Sequence, residues 1–163
     1  MGSLRTANLI SAIALIFAVG HAAAFDLDQV MRDTADSFVR PAYSGFADKS
    51  KQLLAAQKQL CALPSSANAD AAKTAFAGAA LSWANAEVFR AGPVVEDNRL
   101  ERVLFYPERK GTGLKQVQAA LAASDETVTD ATELAGKSVA MQGLGALEFV
   151  LFGTGSEALE TTD

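Results

Sequence analysis

The chain has 163 residues, enough for one domain with a substantial core. Half of its residues are hydrophobic, 33 are alanine and only four are proline, a balance that favours helices over sheets. A formal charge of −5 argues against nucleic acid or an anionic membrane surface as a partner. One cysteine excludes both an internal disulfide framework and a cysteine-cluster zinc site.

The N-terminus has the layout of an export signal. Arg5 is the positive flank, Leu9 to Val19 is an uncharged apolar run, and Ala22-Ala23-Ala24 is a small-residue cleavage site. The apolar run is too short to span a bilayer. Residues 1–24 are therefore expected to leave as a signal peptide, with a mature chain starting at Phe25 and no membrane span. His21, the only histidine, leaves with the signal. A mature chain without imidazole has no Ser-His-Asp or Cys-His nucleophile and no histidine metal ligand. An exported acidic domain of this kind fits a bacterial periplasm.

The mature chain reads as helices. Asp26 or Asp28 is suited to cap a first helix reaching about Leu63, with Val30, Phe38, Phe46, Leu53, Leu54 and Leu60 on its apolar face. Pro41 should break or kink it near Arg40. Cys61 is expected to be a small buried residue. Ser66 or Asn68 can cap a second helix over 69–90, where Phe76, Ala79, Ala80, Trp83 and Ala86 recur at helical spacing. Gly92-Pro93 stops it.

A short helix is expected from Asp97 to Phe105, and Tyr106-Pro107 then turns the chain. A third clear helix covers 113–123, with Leu114, Val117, Gln118 and Leu121 on one side. Residues 124–136 are a polar link in which Asp130-x-x-Glu133 can cap a turn. Residues 137–152 read as a final helix, apolar almost all round and so expected to be buried on every side. The tail, 154–163, is polar and expected to be loose. The predicted fold is all-α, an up-and-down bundle of about four helices.

Two segments stand out chemically. Glu96 to Arg102 alternates acids and bases, which suits either a solvated helix turn with local ion pairs or a polar cluster lining a cleft. Glu148 lies between Leu144, Leu147, Phe149, Val150 and Leu151, where a carboxylate needs a partner or a metal. It is expected either to pair with Arg99 or Arg102 or to serve as a ligand carboxylate. Gly136-Lys137-Ser138 imitates the end of a phosphate-binding loop, but Ala131 stands where that loop needs a glycine.

The stretch from Trp83 through Glu87-Val88-Phe89-Arg90-x-Gly92-Pro93, Glu96-Asp97-Asn98-Arg99-x-Glu101-Arg102 and Phe105-Tyr106-Pro107-Glu108 resembles the imelysin family. So does Gly136-Lys137-Ser138-Val139-Ala140-x-Gln142-Gly143-Leu144-Gly145-Ala146-Leu147-Glu148-Phe149-Val150-Leu151-Phe152-Gly153. The resemblance spans essentially the whole mature chain. It implies an exported helical protein of the cell envelope, associated with iron uptake, in a family first described through an insulin-cleaving metallopeptidase.

The signature of that family is G-x-H-x-x-E. Here Gly143 and Glu148 are present and Gly145 occupies the histidine position. The resemblance also implies two tandem bundles with a functional cleft between them. Residues 25–153 are expected to match the first bundle only, ending shortly after the signature.

Three functions follow as expectations. The first is a binding module without peptidase activity, with Glu87, Asp97, Arg99 and Glu148 as ligand residues and Glu148 as the metal contact, iron being the metal implied. The second is a metal-dependent peptidase of the imelysin type. The third is a structural fragment that associates with a second bundle or with itself through residues 139–152. Haem and siderophore remain open as ligands, although no histidine is available to haem.

Overall fold

The computed structural model describes residues 26–161, and the expected leader lies outside them. The described chain is helical, with no strand among these residues. Asp26 caps α1 (Leu27–Thr34), its carboxylate accepting the Gln29 N–H at 3.0 Å. A π-helical segment, Ala35–Val39, leads directly into α2 (Arg40–Ala62). Of the break or kink expected near Arg40, the chain shows no break but a local π-helical distortion. Proline lacks an N–H and crowds the carbonyl four residues back. The wider π turn, closed by the Arg40 N–H on the Ala35 carbonyl, absorbs that defect and lets the helix continue.

Helix α3 (Ser66–Ala86) runs back along α2. Its cap is Ser65 rather than Ser66 or Asn68. The Ser65 hydroxyl accepts the Asn68 N–H, and the Asn68 side chain donates to the Leu63 carbonyl at 2.6 Å. The buried face of α3 is Ala69, Ala72, Phe76, Ala79, Trp83 and Ala86, a strict alternation of three- and four-residue steps. The four alanines are fully buried, so the α2 backbone can come close. Leu53 and Leu60 fill the seam from α2. Phe46 and Tyr43 close over Trp83, with ring centroids 5.0 and 6.4 Å from the indole. Cys61, expected inside, is exposed.

After α3 the chain forms a 3-10 segment, Gly92–Asn98, and then α4 (Arg99–Val103). The predicted helix start at Asp97 fails because Asp97 and Asn98 both take left-handed backbone angles, φ 53° and 55°. Asp and Asn are the non-glycine residues best suited to that conformation. Helix α5 (Thr112–Ala122) matches the expected third helix. The polar link contains a 3-10 turn, Glu126–Thr129, and α6 (Ala131–Ala135). Asp130 caps α6 by accepting the Thr132 and Glu133 N–H groups at 2.8 and 3.0 Å.

The last predicted helix is divided. Val139–Met141 is a 3-10 turn, and α7 (Gly143–Phe152) starts only after extended Gln142. Leu144, Ala146 and Leu151 of α7 are buried, whereas Phe152 is half exposed. The expectation of burial on every side is thus corrected. The tail is also more ordered than expected. Ser156–Glu160 is a 3-10 turn against α3, with Leu159 on the core and Glu160 3.6 Å from the Lys73 ammonium. No described helix is long and apolar enough to cross a membrane.

The alanine seam yields a direct test. Ala79→Leu should lower unfolding stability by about 2 kcal/mol or more, because extra methylenes have no room between α2 and α3. Ala84→Leu, at an exposed position on the same helix, should leave the denaturation midpoint nearly unchanged.

Candidate functional site

The signature segment sits where the end of α4 meets the start of α7. Gly143 opens α7 with φ 64°. A Cβ at this residue would overlap the carbonyl oxygens of Arg102 and Val103. Only glycine satisfies both the left-handed angle and the close approach. The preceding residue, Gln142, is buried, and its amide donates to the Lys137 carbonyl at 2.7 Å. Lys137 in turn pairs with Asp125 at 2.9 Å. The Gly136-Lys137-Ser138 run thus ties the polar link to α7 rather than cradling a phosphate.

Gly145 and Glu148 share one flank of α7, three residues apart. Both line a small cavity of about 110 Å³, together with Leu104, Tyr106, Glu108 and Phe149. A Cβ at Gly145 would have only the Leu104 side chain near it, at 3.9 Å. The histidine position of the signature is therefore open space in this chain. Glu148, expected to be buried, is exposed at the rim. It makes no ion pair with Arg99 or Arg102 among the described residues. The physical reason is that α7 turns this flank outward while Leu144, Ala146 and Leu151 carry the burial.

Glu108 appears in the sequence only as part of the family resemblance, with no role given to it. Its carboxylate accepts the N–H groups of Lys110 and Thr112 at 3.0 and 2.9 Å, and that of Gly113 at 3.4 Å. Those of Thr112 and Gly113 are unpaired donors of the first turn of α5, where a negative charge is favoured, and that of Lys110 lies just before it. The bond from Thr112, followed by those from Lys110 and Gly113, holds the Glu108 carboxyl below its ordinary value. Gly113 must lack a side chain here, because a Cβ would lie 2.5 Å from the Ala140 carbonyl. The only sequence signal was an acid placed shortly before Gly111-Thr112-Gly113, outside the usual capping position.

The other expected site residues lie apart from this cavity. Asp97 and Arg99 do come together, at 2.9 Å, but as part of a local clamp. The Arg99 guanidinium also reaches Glu96 at 3.3 Å and donates to the Pro93 carbonyl at 2.7 Å. It fixes the 3-10 segment on the surface, where ion pairs contribute little individually. Glu87 ends α3 and pairs with Arg90 at 3.0 Å. None of these three lines the cavity that holds Glu148.

A divalent or ferric ion needs several convergent donors. Among the described residues no group of three or more His, Cys, Asp or Glu side chains is placed to hold one. Glu108, the other acid of the cavity, spends one oxygen on two backbone N–H groups and turns the other toward the Gly113 N–H. The residues present do not fit the metal centre that the signature implies.

The architecture defines a class: an all-α domain in which a glycine-opened helix presents a glutamate on one turn, beside a paired-helix core. The chain belongs to the imelysin family, whose model (imelysin, peptidase M75) matches residues 39–163. Comparisons with curated proteins and with solved structures return no match. Helix α1 precedes the matched region.

Two measurements test this local construction. Gly143→Ala should cost about 2–4 kcal/mol, read from urea unfolding, because strain and overlap coincide there. The contribution of Glu108 should be fully present above the ordinary glutamate range, since its folded value is depressed. It should fade as pH falls through that lower folded value. A Glu108→Gln variant should therefore melt earlier than wild type at neutral pH, with the gap closing in acid.

Proposed function

We propose that the protein is an exported imelysin-family binding module of the bacterial cell envelope, serving iron uptake without peptidase activity. The observation that carries this reading is the signature itself. Gly145 stands where the family places histidine, and the exposed Glu148 belongs to no group of three or more candidate metal ligands among the described residues. A single carboxylate binds hard cations weakly and is a poor base for assembling a hydrolytic zinc centre. The leader, with its charged flank, apolar run and Ala22-Ala23-Ala24 site, supports export. Family membership supports the link to the envelope and to iron.

Calorimetry with ferrous, ferric and zinc ions tests the metal side of this proposal. Wild type should show at most weak heats, and Glu148→Ala should change them little. A Cβ at Gly145 meets only the Leu104 side chain, at 3.9 Å, and Gly145→His should create measurable zinc binding that Glu148→Ala then abolishes. Chelator-sensitive cleavage of a denatured protein substrate by wild type would overturn the proposal. Export predicts a periplasmic product whose intact mass begins at Phe25, and retention of the full-length chain in the cytoplasm would count against it.

A further inference from the structure

A second cavity, of about 680 Å³, lies on the other flank of α7. Phe46 and Leu53 of α2 and Leu147 and Val150 of α7 line it, and Val128 and Leu134 reach it from the polar link. From Glu126 to Gly136 those two are the only residues that are not exposed. The 3-10 turn and α6 contain no fully buried residue. They pack on each other and only sparsely on the rest of the domain.

The two ends of this segment are tied together. Asp125 and Lys137, twelve residues apart, meet at 2.9 Å with both side chains half-buried. Among the described residues one other ion pair joins distant parts of the chain, Lys73 with Glu160, and it is longer at 3.6 Å. The Thr127 hydroxyl and then the Lys137 ammonium hold the Asp125 carboxyl below its ordinary value. Ser124 turns the chain out of α5 with φ 48°. The Lys137 carbonyl accepts the Gln142 amide, which anchors the far end of the neck to the start of α7. A segment held by two apolar side chains and one partly solvated ion pair has a low free energy of local opening. The alanine seam of α2 and α3, fully buried, lies at the opposite extreme.

We propose that residues 125–137 form a hinged strap on this cavity, latched at the neck by the Asp125–Lys137 pair, which opens as one unit while α2 and α3 stay folded. Opening lifts Val128 and Leu134 out of the cavity wall and admits solvent to that side of α7. The latch is electrostatic and partly exposed, so ionic strength sets how often the strap opens. The device is separate from Gly145 and Glu148 and stands whether or not a metal binds there.

The test is thiol labelling of the purified full chain with a fluorescent maleimide, in a Cys61→Ser background that removes the exposed native thiol. Val128→Cys and Leu134→Cys each put a reporter on the cavity side of the strap. Each should label at least about tenfold more slowly than Cys61 does in wild type. Each should still label faster than global unfolding allows, as measured in urea through Trp83, the one tryptophan. Lys137→Gln keeps the backbone carbonyl that Gln142 binds, and it should speed both reporters by about fivefold. Raising sodium chloride from about 0.05 to about 0.5 M should speed them about twofold with Lys137 in place and leave the Lys137→Gln rates unchanged. Circular dichroism confirms the fold of each variant. Labelling as fast as that of Cys61 would overturn the proposal, because the strap would then stand open. Labelling no faster than global unfolding would overturn it too, because no local opening would exist. So would a response of one reporter without the other, or rates indifferent to Lys137→Gln or to salt.

Discussion

The close approach of α2 and α3 is the constraint on which the rest of the domain depends. Ala69, Ala72, Ala79 and Ala86 are fully buried and leave no side-chain bulk between the two backbones. The two helices therefore lie close, with Leu53, Leu60, Phe76 and Trp83 filling the remaining volume. Because α2 and α3 are fixed in this way, they present a common surface on which Leu144 and Leu151 of α7 can land. The Phe76 and Phe152 rings, 5.5 Å apart, extend that contact to the end of α7. The position of the signature helix is thus inherited from a two-helix hairpin that contains no signature residue.

The second structural decision is at the start of α7. Gly143 allows the carbonyl end of α4 to press against the first turn of α7. That joint separates two flanks with different chemistry. One bears Gly145 and Glu148 over a small cavity that Glu108 also lines. The other faces the large apolar groove with Arg102 at its edge. Glu108, which could have been a second acid for a ligand, is instead the electrostatic cap of α5. Its depressed pKa and the engagement of its carboxylate have the same cause, the backbone N–H groups it accepts. An acid that satisfies a helix end is poorly disposed to satisfy a cation.

Most of the helices were legible because their signals are local. Helix α5 and the Asp130 cap depend on periodicity and on a short-range hydrogen bond, and both are where the sequence places them. The α3 stripe was likewise visible as three- and four-residue spacing. The failures have physical causes of their own. Pro41 is read as a break or a kink near Arg40, and a π turn takes up the disturbance there without ending the helix, because it relaxes the α-helical hydrogen-bond condition. The last helix was drawn too long because hydropathy does not show that Gln142 is extended and Gly143 left-handed. Glu148 was taken as buried because its neighbours in sequence are apolar, but burial is a property of a flank and not of a run.

By itself the amino-acid sequence determined the helical class, the family resemblance, the acidic charge and the substitution of glycine at position 145. These depend on composition, spacing and identity, which need no neighbour from elsewhere in the chain. Only the tertiary structure decided that Glu87 pairs locally with Arg90 and Asp97 with Arg99, that Glu148 faces outward, that Glu108 is an α5 cap and that Arg102 edges an apolar cavity on the far flank of α7. The reason is that each of these facts depends on which side of α7 meets α2, α3 and α4. That choice is made by long-range packing around the alanine seam, between residues that are far apart in the sequence.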